Sequence, residues 1–280
     1  MNRQGHECLL PVCDRVPGTV WMVANAALCS AAGILVVIAV GRLGANIFWL
    51  AWMRYCFGLL AMGVPGLLGA WPLTVHNRRA FVLRGVLGSV GQFFFFGAIA
   101  LMGLGRGTVL SYLLCVVGAV AGVPILKERP SAVCMAALVA GFAGVALACN
   151  AGLPHGPEWL ALGCALFSGI TIAYIRLLRR TDSNQVAFLS QGVFGTALMT
   201  PFIFFFPAPT PDAAGCILAV CVLDTVGQLC MNQGFKTVAV ARGGALIMLT
   251  PVFSLGAGVL FFGEHLSGRQ WAGCLVVIAA

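Results

Sequence analysis

A block of this chain returns 136 residues later (92 to 228, 106 to 242, 128 to 264), and each copy carries an odd number of apolar segments. Without gaps, Gln92 falls on Gln228, Arg106-Gly107 on Arg242-Gly243, and Leu110 and Leu113 on Leu246 and Leu249. Ala121-Gly122-Val123 falls on Ala257-Gly258-Val259, Glu128 on Glu264, and Ser131 on Ser267. Trp21, Ser30 and Ile34 match Trp159, Ser168 and Ile172 two residues out of that register. A repeat of this kind decides architecture before any local reading does. An odd number of crossings per copy forces the second copy into the bilayer upside down. Inverted repeats of this sort place a binding site between the halves, near the membrane midplane.

Composition supplies the bilayer. The chain is 60% apolar and 9% charged, with a mean hydropathy of +1.00. In lipid every backbone polar group must be satisfied internally, which leaves helices or a closed barrel. The apolar runs lack strict alternation, so the expectation is an all-α membrane protein. A span needs roughly 20 apolar residues. Ten segments qualify or nearly do: 18–41, 47–71, 81–103, 107–126, 131–149, 159–178, 184–206, 213–235, 243–263 and 269–280. The expected organisation is a tail at 1–17, a first five-helix repeat at 18–149 and a second, inverted one at 159–280. The tenth segment is too short to cross and reads as short or truncated.

The net charge of +8 orients the chain rather than binding nucleic acid. With the N-terminus inside the cell, twelve cationic residues fall on the inner side: Arg3, Arg15, Arg78, Arg79, Arg84, Lys127, Arg129, Arg176, Arg179, Arg180, Lys236 and Arg242. Arg42, Arg106 and Arg269 fall outside, and Arg54 lies within a span. That asymmetry predicts a multi-pass protein of the cell inner (cytoplasmic) membrane with a cytoplasmic N-terminus. Most of the twelve cysteines sit within apolar runs, where a thiol behaves as a small hydrophobe. His6, Cys8 and Cys13 match no zinc spacing, so no metal is expected.

Asp224 is the sole acidic side chain deep within a predicted span. A charge at the bilayer centre costs roughly 2.5–3.5 kcal/mol on insertion scales, which makes it a functional candidate. Gln228 and Asn232 follow at i+4 and i+8, on what reads as one face of the same helix, and Gln92 is the repeat partner of Gln228. Arg54 could pair with Asp224, or clasp a carboxylate or phosphate. Asn25, and less strongly Gln191, complete the candidate lining, while Trp21 reads as an interfacial belt residue. Gly118-xxx-Gly122, Ser254-xxx-Gly258 and Gly141-xx-Gly144 have the small-residue spacing of close helix packing. Glu128 and Glu264 read as helix-end charges.

The run from Arg106-Gly107 through Ala121-Gly122-Val123 to Leu126-Lys127-Glu128-Arg129-Pro130-Ser131 resembles the end of an EamA repeat. Ala245 to Pro251, followed by Gly263-Glu264-His265-Leu266-Ser267, is similar to the same motif in a second copy. The resemblance is to ten-helix members of the drug/metabolite transporter superfamily. It departs from the family at Cys115, where a proline is usual in the fourth span; Pro251 keeps it in the ninth.

Together these readings predict a secondary transporter working by alternating access, with export favoured. Its cargo would be a small polar or amphipathic metabolite, such as an amino acid or organic anion. The expected partners are that substrate, the lipid bilayer and, if Asp224 carries them, protons; a second copy of the chain could pair with the first. No cofactor and no catalytic residue are expected, since HExxH, GxSxG and phosphate-loop patterns do not occur. The alternatives are an integral membrane enzyme acting on a lipid or headgroup and a non-transporting membrane scaffold.

Overall fold

Every regular element in the computed structural model is helical among the described residues, which are 16–128, 130–148, 156–262 and 267–279. The first half holds α1 (Gly18–Val37), extended by a π-turn at Ile38–Arg42, then α2 (Ile47–Leu67), α3 (Arg78–Ser111), α4 (Leu114–Leu126) and α5 (Ala132–Ala148). The second holds α6 (Glu158–Leu178), α7 (Asn184–Ile203), α8 (Pro211–Thr237), α9 (Val240–Ile247), α10 (Leu249–Phe262) and α11 (Gly268–Ala279). Among the described residues, seven stretches are long and apolar enough to cross a bilayer. They are α1 with its π-turn, α2, Arg78–Ile99 of α3, α6, α7, α8, and Val240–Ala257 across α9 and α10. Leu114–Leu126 and Ala132–Leu147 are apolar but shorter, and α11 has 12 residues. The cluster of His6, Cys8 and Cys13, and Glu264, lie outside the described residues.

Repeat partners run in opposite directions. Trp52, Tyr55 and Leu59 of α2 meet Thr200, Gly195 and Gly192 of α7, an antiparallel register. Likewise Gly122 of α4 meets Val240, and Cys115 meets Gly244. Two equivalent antiparallel pairs frame the centre. In one, Gly88, Gly91 and Gly97 of α3 lie against Thr171, Ser168 and Leu160 of α6. In the other, Asn25 and Leu35 of α1 lie against Gly227 and Cys216 of α8. Gly118 approaches the carbonyl of Gly169, and Gly144 that of Gly273, so the small-residue spacings serve packing.

Helix is assigned from Arg78 to Ser111, across the boundary that the sequence places near residues 103–107. The direction still reverses, because α3 runs antiparallel to α6 whereas Leu114 and Gly118 of α4 track Gly169 and Ile172 in parallel. A break in the helix lies deeper, at Tyr112-Leu113 within the fourth span, and its repeat equivalent is the interruption at Met248 between α9 and α10. Pro251 explains the second break: it cannot donate to Ile247, four residues back. The Ile247 carbonyl instead accepts from Thr250 Oγ1 at 2.8 Å. The first break occurs with Cys115 in place of a proline. There the chain tightens into three-residue bonds, Leu113 N to Leu110 O and Cys115 N to Tyr112 O.

One end of the bundle is tied by carboxylates. Asp182 accepts from the backbone of His76 and Asn77, which fixes the start of α3 against the α6–α7 turn. Glu128 is more than the helix-end charge expected of it. It accepts from Arg176 Nε and Arg180 Nη2, and from the backbone of Val240, binding α4, α6 and α9 together. The turn into Glu128 is made by Lys127 in the left-handed region (φ 57°).

The glycine contacts yield the first prediction. A Cβ on Gly91 would lie 2.8 Å from the Ser168 backbone nitrogen, whereas one on Gly215 would meet nothing within 4 Å. Gly91→Leu should therefore destabilise the protein by about 1–3 kcal/mol through overpacking. Gly215→Ala should be neutral or slightly stabilising. Thermal unfolding of both variants in detergent checks this, and equal midpoints would contradict it.

Candidate functional site

Four helices, α1, α3, α6 and α8, enclose a central cavity of about 140 Å³ together with the two helix breaks. A single buried water needs on the order of 10–15 Å³, so the space suits a small organic molecule. Arg84, Gly88 and Gln92 on α3 line one wall, and their repeat equivalents Val220, Asp224 and Gln228 on α8 line the facing one. Asn25 and Cys29 of α1, Ser168 and Thr171 of α6, and Tyr112, Ile247 and Thr250 at the breaks complete much of the rest. Apolar surface comes mainly from Phe95, Phe96, Val36, Ile172 and Met231.

Of the residues singled out from sequence, Asn25, Gln92, Asp224, Gln228 and Gln191 line this cavity. Neither Gln92 nor Gln228 has a hydrogen-bond partner among the described residues, so both amides are free for a ligand. Asn25 is partly committed, donating to the Gly227 carbonyl at 2.9 Å and so tying α1 to α8. Arg54 lies behind the wall and does not line the cavity. Its Nε donates to Asp224 Oδ2 at 2.5 Å, with the side chains 3% and 10% exposed. Asp224 is at the midpoint of α8, thirteen residues from each end. This ion pair bridges α2 and α8 across the bundle.

Asn232 also misses the cavity. At about 100° per residue it lies some 80° around α8 from Asp224, whereas Met231 lies only about 20° away on the other side. Met231 accordingly takes the lining position. Asn232 is fully buried instead, and neither of its amide atoms has a partner.

Arg84 is the correction that matters most. The sequence puts it among inner-side charges, yet it lies within a spanning helix, is 0% exposed and lines the cavity. Its Nη1 donates to Gln191 Oε1 at 3.1 Å, and Gln191 Nε2 donates on to the Gly88 carbonyl at 3.1 Å. Its Nε and Nη2 have no partner. The readable signal was helical spacing: Arg84, Gly88 and Gln92 are four residues apart, in register with the stripe around Asp224.

Matches to a family model cover residues 16–149 and 156–280, and the model is that of the EamA-like transporter family. The chain belongs to the EamA-like transporter family. EamA proteins of two repeats form part of the drug/metabolite transporter superfamily, so the protein is a multi-pass membrane transporter of that superfamily. Among curated proteins none matches significantly. Solved structures do: one, described only as the crystal structure of a protein, superposes with a TM-score of 0.76 at 19% identity. The match covers 94% of this chain and 95% of that one, a likeness that shows the fold.

The ion pair carries a prediction for this EamA protein. Removing one partner of a buried pair leaves the other charge uncompensated, at about 3–5 kcal/mol. Asp224→Asn and Arg54→Met should each lower thermal stability strongly, and the double variant should regain most of it. Additive losses in the double variant would show that the two charges do not depend on each other.

Proposed function

We propose that the protein is a secondary transporter that moves a small polar or amphipathic metabolite across the cell inner membrane by alternating access. The observation that carries the reading is the partly polar cavity between two inverted halves, with a helix break at the same repeat position on either side. Breaks of this kind free backbone groups at a binding site, and they give each half a point at which to bend. The chain makes ten crossings in this reading, with α4, α5 and α11 as short spans and α9 and α10 as one interrupted span. The two repeats, 18–149 and 159–280, rock against each other about the cavity. Gln92, Gln228, Asn25 and Asp224 meet the substrate, and Arg54 acts at one remove by holding Asp224. Export is the favoured direction.

The basic residues at the inner ends support a cytoplasmic N-terminus. Asp212 at the start of α8 and Thr181 after α6 are both exposed, at opposite ends of the bundle. In a cysteine-free background, Asp212→Cys should react with an impermeant maleimide in intact cells, and Thr181→Cys only after lysis. The reverse pattern would overturn the orientation.

The transport reading has its own test. Sealed proteoliposomes loaded with a defined mixture of amino acids and organic acids should lose one or more members of it. A Gln92→Ala/Gln228→Ala variant should slow that loss by about tenfold or more, the loss of two polar contacts at typical strength. Turnover of a lipid or its headgroup by the detergent-solubilised protein, without a sealed compartment, would favour a membrane enzyme instead.

A further inference from the structure

We propose that the central cavity recognises a small organic anion, and that Arg84 receives its carboxylate or phosphate group. The inference rests on the transporter reading for the cavity's purpose but on separate observations for its chemistry. A guanidinium that is 0% exposed is costly unless something pairs with it. Among the described residues, no carboxylate lies within ion-pair distance of Arg84. The central carboxylate, Asp224, is already held by Arg54. The two arginines and one aspartate therefore leave one positive charge in the middle of the protein without its counterpart.

The geometry of the unpaired atoms narrows the ligand. Nε and Nη2 of a guanidinium lie along one edge, the edge that meets two oxygens of a carboxylate or phosphate in a bidentate fork. In Arg84 these are the two atoms left without partners. The remaining nitrogen, Nη1, is anchored by Gln191, whose amide is itself fixed by Gly88. Gln191 is thus a positioning residue: it fixes the guanidinium in the cavity wall and leaves the fork's two nitrogens buried without partners among the described residues. A neutral or cationic cargo would leave that edge unpaired. Beyond the head group, Gln92 and Gln228 offer amides partway along the cavity. Phe95, Phe96 and Val220 lie on the far side from Arg84 and would accept a compact apolar body.

The test uses the purified full chain in detergent, with thermal unfolding as readout. Benzoate, inorganic phosphate and neutral benzamide are titrated at matched ionic strength, with chloride as the balancing anion. Benzoate or phosphate should raise the unfolding midpoint in a saturable way, since a ligand of the folded state stabilises it. Benzamide should not. A response to benzoate alone assigns a carboxylate, and one to phosphate assigns a phosphate-bearing cargo. Arg84→Gln should abolish the response. Arg84→Lys, which keeps the charge without the fork, should weaken binding by about ten- to a hundredfold. If Arg84→Gln folds poorly, the Lys variant decides the matter. Failure of both oxyanions to stabilise the wild type, or undiminished oxyanion affinity in the variants, overturns the proposal. Neither result touches transport of some other cargo in sealed vesicles. Conversely, oxyanion binding through Arg84 without any vesicle flux would remove the transporter reading and leave this site in place.

Discussion

The structure depends on backbone-to-backbone approach at glycine. Between helices surrounded by lipid there is no hydrophobic drive to associate, so contact distance decides which helices stay together. Gly88, Gly91 and Gly97 bring α3 onto α6, and Gly227 and Gly234 bring α8 onto α1. These two crossings are equivalent under the repeat, and they form the walls of the cavity. A side chain at most of these positions would push the walls apart. The same glycines therefore set both the stability of the bundle and the width of the space inside it.

Within those walls, charge is distributed by two different rules. Arg54 and Asp224 neutralise each other across α2 and α8, which lets a carboxylate remain at the middle of a spanning helix. Arg84 is treated otherwise. It is held at one nitrogen by an amide and left open at the other two. A purely structural arginine in so dry a place would be expected to pair with a carboxylate or fill its donors with carbonyls. The contrast between Arg54, paired with a carboxylate behind the wall, and Arg84, in the wall without one, separates a side chain that supports the wall from one that addresses what enters.

Much of this was legible in the sequence. The repeat offset and the unbroken apolar runs foretold an all-helical chain of two repeats, because each is a long-range regularity that local packing does not disturb. Asp224, Gln228, Gln92 and Asn25 were found because polar residues at helical spacing in apolar runs stand out. Asn232 was misassigned because eight residues overshoot two helical turns by about 80°, a drift that a fourfold spacing rule ignores. Arg84 was counted with Arg78 and Arg79 among the inner-side charges, although the apolar segment 81–103 already contained it. The position of the break at Tyr112 was also hidden, since no proline marks it. Its existence could be inferred only by carrying Pro251 back through the repeat to the position where Cys115 stands.

The unequal fate of equivalent positions has a consequence for the duplicated scaffold. Arg84 corresponds to Val220, and Asp224 to Gly88, so each copy keeps at one position what the other has given away. Symmetry governs the crossings and the helix breaks, which recur at matching repeat positions in both halves. It is broken at the chemical parts. Because the copies are inverted, Arg84 falls toward one end of the chamber and a valine occupies the mirror position toward the other. A polar molecule inside therefore has a preferred heading along the membrane normal. The duplication thus built a chamber whose frame is the same in both halves and whose interior is not.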